Sequence, residues 1–294
     1  MLKDSQSLVI LRKETKGRPW WADFLWVLVN FLLVGGLAGA VLSLPLVLLH
    51  GGQMTPDFLF WLNIVGFPVM MAFMLWIGKV YDNRSVESFG FFKQKWLEQS
   101  SKGIIIGFIL FLLVWLVALV LGTVKLGSSS NSNVLLLVGI FFGFMVQGTT
   151  EEVICRGFLM NKMRLQVGLW PAILGNSLLF AAIHLGNDGV TPLSIVNLVL
   201  YGVVFSLLFV WSDNMWLTGL AHGMWNYTQG AIFGVLVSGS RVPSTMLATS
   251  PILSKSLLNG GSFGLEGGLI TTAFGLLSCL VLWHLIKAKY QKLA

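Results

Sequence analysis

Residues 134–160 read VLLLVGIFFGFMVQGTTEEVICRGFLM, a long apolar run that carries two acids and one arginine near its end. About 20 apolar residues in a helix suffice to cross a bilayer, so this stretch predicts a transmembrane helix. A charge in hydrocarbon costs at least roughly 2.5–3.5 kcal/mol, and such residues usually have a partner and a function. Glu151, Glu152 and Arg156 therefore mark a candidate functional site inside a membrane.

The composition of the whole chain agrees with that interpretation. Of 294 residues, 55% are hydrophobic and only 11% are charged, whereas soluble domains carry about 25% charged residues. We therefore predict an all-α membrane protein, a bundle of about eight transmembrane helices, of which the fifth is the shortest. The predicted spans are 24–49, 58–80, 103–124, 134–160, 169–186, 192–211, 215–237 and 267–287.

The net charge of +7 comes from basic residues whose positions along the chain fit one orientation in the membrane. If the N-terminus is cytoplasmic, fifteen of the 19 Lys and Arg residues fall in cytoplasmic segments. This is the asymmetry of the positive-inside rule, so both termini are predicted to be cytoplasmic. The basic balance thus indicates a lipid bilayer as partner and no nucleic acid.

The chain divides by composition into four parts. They are a basic cytoplasmic segment at 1–23, N-terminal helices with an interfacial segment at 24–102, a membrane core at 103–287 and a cytoplasmic tail at 288–294. Within the second part, residues 82–101 mix aromatic and basic side chains, which predicts an amphipathic segment on the cytoplasmic membrane surface. An ordinary anchored loop is the alternative.

The acids and the arginine of the opening stretch form the pattern EExxxR. Glu152 and Arg156 are four residues apart on a helix, with the acid first, which is the favourable order for an ion pair. Glu151 lies about 100° around the helix axis and has no local counter-ion. One carboxylate is thus neutralised, and the other can act as a general base for water. The alternative is a structural ion-pair cluster.

Two further motifs lie in later spans. Phe180 and His184 are four residues apart, so the aromatic ring can line a pocket beneath the imidazole. His222 and Asn226 also share one helix face, and an Asn amide offers two donors for a developing oxyanion. Taken singly, each histidine could be a packed core residue, and the His222 pair could join helices by hydrogen bonds.

The combination favours hydrolytic chemistry. The glutamate pair comprises the only acids within the predicted spans, and two of the four histidines lie in spans close by in sequence. The spans carrying Glu151, His184, and His222 with Asn226 can together build a water-activating site. A cysteine mechanism is less persuasive, because Cys155 points away from the Glu152 and Arg156 face.

At these residues the chain resembles the CAAX prenyl protease and bacteriocin-processing family of intramembrane peptidases, also called Abi or CPBP. The family motifs EExxxR, FxxxH and HxxxN occur here in order, beginning at Glu151, Phe180 and His222. The resemblance covers about residues 100–287. Residues 264–268 (GLEGG) are similar to the GPEGG turn of bacterial members, with Leu265 in place of proline, and we interpret Glu266 as structural.

The resemblance implies an intramembrane endopeptidase of a bacterial cell membrane that acts on a membrane-associated peptide or protein. Glu151 would activate water with help from His184, His222 and Asn226 would stabilise the oxyanion, and Glu152 with Arg156 would shape the site. No cofactor is favoured.

Three alternatives stay open. In a zinc enzyme, Glu151, His184 and His222 would be ligands, with water as the fourth. A noncatalytic scaffold or bacteriocin immunity factor would not use the site for hydrolysis. A transporter would also carry intramembrane charges, although no inverted repeat is evident. The sequence indicates no oligomeric state.

The predicted boundaries leave one inconsistency in depth. At 1.5 Å per residue, Glu151 and His222 come about 14 Å from the cytoplasmic ends of their spans, and His184 about 22 Å from its own. We therefore expect a fifth helix that is tilted or begins inside the membrane, unless a boundary is misplaced.

Overall fold

The computed structural model describes residues 5–49 and 56–291 of this chain, and most of them are helical. Two helices, α2 and α6, continue through π-helical segments, Asn30–Gly35 and Val153–Met160, into the helices that follow them. The helices are α1 (Gln6–Glu14), α2 (Trp20–Val29), α3 (Gly36–Leu49), α4 (Pro56–Asp82), α5 (Trp96–Val120), α6 (Val134–Glu152), α7 (Asn161–Val167), α8 (Leu169–Ala182), α9 (Pro192–Ser212), α10 (Met215–Tyr227), α11 (Ser256–Asn259) and α12 (Leu269–Gln291).

Six helical segments in the described part of the chain are long and apolar enough to cross a membrane. The all-α membrane bundle is thus confirmed, and the protein is a multi-pass integral membrane protein. The number eight is not confirmed, because α8 and α10, in the fifth and seventh predicted spans, are short. The 14 residues of α8 extend about 21 Å, which is less than a bilayer core of about 30 Å. The six segments are Trp20–Val41, Phe60–Asp82, Trp96–Val120, Val134–Val167, Pro192–Ser212 and Leu269–Gln291.

The boundary predicted at residue 160 was wrong, and its correction brings the depths of Glu151 and His184 into agreement. The helix that begins with α6 continues without a break to Val167. Glu151 therefore lies about 24 Å from that end, close to the 22 Å separating His184 from the start of α8. The polar residues after 160 had suggested a loop. They stay helical because Lys162 forms a buried ion pair with Asp82, at 2.6 Å.

Helix α10 is held in close contact with α5 and α6 by glycines. A Cβ added at Gly148 would lie 2.3 Å from the backbone nitrogen of Gly223, and one at Gly107 would lie 2.2 Å from the carbonyl oxygen of Ala221. Small residues let membrane helices approach this closely, where van der Waals packing provides much of the association. The approach places the side chains of α10 directly against the acidic end of α6.

A buried arginine supports the π segment Val153–Met160. The guanidinium of Arg84 donates to the carbonyl oxygens of Phe158, at 2.9 Å, and Gly157, at 2.5 Å. Burial lowers the pKa of Arg84 to about 10, against the opposing effect of nearby carboxylates, so the group is charged at neutral pH. A π-helical segment changes the pattern of backbone hydrogen bonds, and Arg84 satisfies two of the carbonyls there.

The predicted start of the first span at residue 24 was wrong, because it left Asp23 outside the helix. Helix α2 begins at Trp20 rather than at residue 24, so Asp23 lies in its first turn and is fully buried. The glutamate pair is therefore not the only set of acids in the spans. Asp23 lies within electrostatic range of Arg84 and Lys162, and these cations offset part of the cost of burying its carboxylate.

The predicted interfacial segment at 82–101 is not one continuous amphipathic element. It comprises a 3₁₀ turn, Val86–Phe89, and the first turn of α5. Phe89 and Phe92 are buried in the protein, whereas Trp96 and Leu97 are exposed. Phe89 turns inward because Gly78 and Gly157 leave room for its ring. Only part of the predicted aromatic face is thus available to lipid.

A small antiparallel sheet joins two loops and was not predicted. Strand β1 (Val124–Ser128) pairs with β2 (Leu247–Pro251), with Val124 opposite Pro251. The indole of Trp115 in α5 donates to the hydroxyl of Thr249, at 3.1 Å, which fixes β2 to the bundle. Three short stretches of the predicted parts lie outside the described residues. They are residues 1–4 of the first part, 50–55 of the second and 292–294 of the fourth.

Candidate active site

The predicted site residues come from three helices and lie at a shared position in the bundle. The glutamates lie at the end of α6, His222 and Asn226 lie on α10, and Phe180 lies near the end of α8. Exposed fractions are 4% for Glu151, 0% for Glu152 and 5% for His222. The site is thus enclosed by protein, where electrostatic interactions are stronger than in water.

The pairing of Glu152 with Arg156 is confirmed, and it extends to His222. Oε1 of Glu152 accepts from Nη1 of Arg156 and from Nδ1 of His222, each at 2.9 Å. Since a carboxylate oxygen that is paired with Arg156 accepts hydrogen bonds, Nδ1 of His222 is the donor. Glu152 thereby fixes the imidazole and directs Nε2 away from itself. Sequence spacing gave no sign of this long-range contact.

Glu151 has a different environment and is not wholly without partners. Its Oε1 accepts from Nε2 of Gln147, at 2.6 Å. Its Oε2 is buried with no hydrogen-bond partner among the described residues, and it lies 3.7 Å from Nε2 of His222. That distance is too long for a hydrogen bond, but a water about 2.8 Å from both atoms would bridge them.

Gln147 is the polar residue that the sequence analysis missed. Besides donating to Glu151, it accepts from Nδ2 of Asn226 through its Oε1, at 2.8 Å. Asn226, Gln147 and Glu151 thus form a hydrogen-bonded chain between α10 and α6. The available signal was the position of Gln147, one turn before Glu151 at the end of an otherwise apolar run.

His184 lies beyond the helix that was predicted to carry it. Helix α8 ends at Ala182, and His184 lies half-exposed in the following turn. Its Nδ1 donates to the carbonyl oxygen of Phe180, at 2.7 Å, which leaves Nε2 available as an acceptor. The ring of Phe180 contacts both imidazoles, with centroids 4.6 Å from His184 and 5.9 Å from His222.

Helix α9 supplies two contacts that the sequence did not suggest. The ring of Phe205 stacks on His222, with centroids 4.6 Å apart and planes at 21°. The carbonyl oxygen of Gly202 accepts from Nη2 of Arg156, at 3.0 Å. These contacts confine the imidazole and the guanidinium from the side of α9.

Each residue named for the zinc alternative, Glu151, His184 and His222, already has one polar atom engaged in a hydrogen bond. Within residues 5–49 and 56–291, no group of three or more His, Cys, Asp or Glu side chains is placed to hold a metal ion. Nδ1 of His184 is bonded to a backbone carbonyl, and Nδ1 of His222 to Glu152. A three-ligand site would thus rest on Nε2 of both imidazoles together with Glu151.

Two residues near the site have structural environments. Cys155 is fully buried among apolar side chains that include Phe180 and Phe263. Glu266 lies just before α12, where its carboxylate accepts from the indole of Trp225, at 3.0 Å, and from the backbone nitrogen of Ser238, at 2.9 Å. It joins α10 to the loop that follows, in keeping with the structural interpretation.

The arrangement can move one proton. With both glutamates ionised and Arg156 charged, the cluster carries one net negative charge, which a proton on His222 or Glu151 would neutralise. A buried cluster close to neutrality avoids much of the cost of desolvated charge. The free Oε2 of Glu151 and Nε2 of His222 are the two atoms placed to exchange that proton with water.

Comparison with known proteins gives one family. Residues 131–228 match the family described as type II CAAX prenyl endopeptidase Rce1-like. No curated protein and no solved structure matches the chain. The matched third of the chain contains the three motifs that begin at Glu151, Phe180 and His222, and the family is one of membrane proteases. Over residues 131–228 the chain is therefore similar to the Rce1-like CAAX prenyl endopeptidase family.

Proposed function

We propose that this protein is an intramembrane endopeptidase that hydrolyses a peptide bond of a membrane-associated peptide or protein by glutamate-activated water. The observation that carries the proposal is the buried Oε2 of Glu151, which has no hydrogen-bond partner in the described part of the chain and faces Nε2 of His222 at 3.7 Å. A buried acceptor without a partner is costly, and a bound water would satisfy it. The family domain supports a protease as the enzyme class.

Glu151 is the general base in this proposal. Its Oε2 takes a proton from the bound water as the oxygen attacks the scissile carbonyl carbon, which becomes tetrahedral. The C–N bond then breaks, and Glu151 returns the proton to the departing amine, so the carboxylate is regenerated. General acid and base catalysis by one positioned group contributes typically 10²–10⁴-fold to a rate.

His222 and Asn226 stabilise the oxyanion. Glu152 holds Nδ1 of His222, so an Nε2–H of the imidazolium can donate to the developing negative charge. Asn226 uses one amide hydrogen on Gln147, which leaves the second for the oxyanion. Donors fixed in advance are worth about 10²–10³ each in kcat.

His184 assists from the turn after α8. Its Nδ1 is engaged with Phe180, so Nε2 is the acceptor that can help to hold the attacking water. The mechanism uses no metal ion.

The membrane arrangement is part of the proposal. Both termini are placed in the cytoplasm of a bacterial cell, on the strength of the fifteen Lys and Arg residues in cytoplasmic segments. Cysteine labelling of variants at Gln94 and Leu253, both exposed and in opposite predicted compartments, tests this. Labelling of Gln94→Cys by a membrane-impermeant reagent in intact cells would contradict the orientation.

The proposed activity is tested in nanodiscs with quenched fluorescent peptides that end in a CAAX sequence, with and without a farnesyl group. Wild type should cleave at least one of them, and Glu151→Gln and His222→Ala should each lose at least about 100-fold in kcat. The matched control is Glu98→Gln, the same change at an exposed carboxylate.

Two outcomes would contradict the proposal. Cleavage at the wild-type rate by Glu151→Gln would exclude Glu151 as the base. Full cellular function of Glu151→Gln, His184→Ala and His222→Ala would favour a noncatalytic scaffold instead.

A further inference from the structure

Gln147 links the two halves of the site through a single amide. It lies on α6 one turn before Glu151 and is half-exposed. Its Nε2 donates to Oε1 of Glu151, at 2.6 Å, and its Oε1 accepts from Nδ2 of Asn226, at 2.8 Å. The chain of bonds therefore runs from the proposed oxyanion donor to the proposed base.

The chemistry of the neighbours fixes the orientation of this amide. A carboxylate only accepts hydrogen bonds, so the NH₂ side of Gln147 must face Glu151. The oxygen of Gln147 then faces α10, where it can only accept, and the NH₂ of Asn226 meets it. Reversing the Gln147 amide would oppose acceptor to acceptor on one side and donor to donor on the other.

Each bond has a consequence for the reaction. With Oε1 of Glu151 bound to Gln147, Oε2 is the oxygen that has no hydrogen-bond partner among the described residues, and it is the one beside His222. With one hydrogen of Asn226 bound to Gln147, the second hydrogen has a defined direction. We propose that Gln147 is a positioning residue that selects the reactive oxygen of Glu151 and orients Asn226. This inference rests on the proposed function.

Helix packing alone does not account for these bonds. Helices α6 and α10 already meet backbone to backbone at Gly148 and Gly223, where no side chain could be added without displacement. The defined orientation of the amide therefore points to the site rather than to the helix interface.

The first test is Gln147→Leu, which keeps the size of the side chain and removes both hydrogen bonds. A charge-assisted hydrogen bond is lost at the base, so kcat should fall roughly 10- to 100-fold. KM should change little, since Gln147 is not proposed to contact the substrate. Gln94→Leu, the same change at an exposed position far from the site, should retain the wild-type kcat.

The second test is Gln147→Glu, for which the pH dependence of kcat is measured. A purely structural role of Gln147 would not change that pH dependence. At low pH the introduced carboxyl is protonated, so it can donate to Glu151 and accept from Asn226 as the amide does. At high pH it is ionised, repels Glu151 and has no hydrogen to donate. The ratio of variant to wild-type kcat should therefore rise as the pH falls. A ratio independent of pH would overturn the proposal.

The outcomes separate this inference from the proposed function. If Glu151→Gln cleaves like wild type, the proposed function fails, and the role of Gln147 fails with it. If Glu151→Gln is inactive while Gln147→Leu retains the kcat of Gln94→Leu, only the role of Gln147 is overturned. If Gln147→Leu does not fold, as judged by thermal unfolding, the pH dependence of Gln147→Glu decides.

Discussion

Replacing Glu152 by Leu removes the one carboxylate oxygen that holds both Arg156 and His222. That oxygen accepts two hydrogen bonds of 2.9 Å each, and the side chains of Glu152 and Arg156 are 0% exposed. In the variant, the guanidinium of Arg156 would stay buried with the carbonyl of Gly202 as its one remaining hydrogen-bond partner among the described residues. Breaking a buried pair in this way costs about 3–5 kcal/mol, because one charge is left uncompensated.

The same change should also lower activity, because His222 loses the group that fixes its tautomer and orientation. Loss of a carboxylate that orients a catalytic histidine lowers kcat by up to about 10⁴-fold. We therefore expect Glu152→Leu to have a melting temperature that is lower than that of wild type by on the order of 10 °C. We also expect its kcat to be reduced roughly 10²–10⁴-fold. Thermal unfolding and peptide cleavage in nanodiscs measure the two effects.

The double variant Glu152→Leu with Arg156→Met separates stability from catalysis. Replacing a buried ion pair by apolar residues of similar size is often neutral or stabilising, so the melting temperature should return to near the wild-type value. The kcat should stay low, because His222 is still without its acceptor. The matched control removes the exposed pair of Glu98 and Lys102, which has the same spacing and a distance of 2.6 Å, and should change neither quantity much.

Two results would refute this reasoning. A double variant as unstable as the single one would show that Arg156 is not destabilised by the loss of Glu152. Recovery of wild-type kcat in the double variant would show that His222 does not need the carboxylate.

Further predictions concern the residues that hold the site in place. Phe205→Leu removes the ring stacked on His222 at 4.6 Å, and kcat should fall several-fold with a loss of about 1 kcal/mol of stability, measured by cleavage and thermal unfolding. Gly223→Ala would place a Cβ 2.5 Å from the carbonyl oxygen of Phe144, so unfolding temperature and activity should both fall, whereas Gly66→Ala, with nothing within 4 Å, should be tolerated. Arg84→Met leaves two carbonyls of the π segment without their donor, and a loss of about 2–4 kcal/mol in unfolding free energy is expected; an unchanged value would contradict the supporting role of Arg84.

Local contacts of the site could be predicted from the sequence. The pairing of Glu152 with Arg156 and the contact of Phe180 with His184 follow from residues four apart, and helical or near-helical backbone brings them together. The membrane class followed from composition, because few charged residues are tolerated in hydrocarbon.

Contacts between distant parts of the chain could not be predicted. Glu152 and His222 are 70 residues apart, and no spacing rule connects them. Gln147 belongs to no motif, so its bridge to Asn226 appeared only once α6 and α10 were placed side by side. The polar residues after 160 suggested the end of a helix. Lys162 is helical because it pairs with Asp82 on α4, and this contact between distant residues could not be predicted from the sequence.

The central claim, that Glu151 activates water rather than attacking the substrate itself, is tested most directly by a single turnover in H₂¹⁸O. With enzyme in excess over peptide, mass spectrometry of the N-terminal product measures the oxygen incorporated at its new carboxyl group. We predict one ¹⁸O in that product on the first turnover by wild type, and no product from Glu151→Gln on the same timescale. Unlabelled product on the first turnover would show that an oxygen of the protein attacked, and labelled product from Glu151→Gln at the wild-type rate would show that another group is the base.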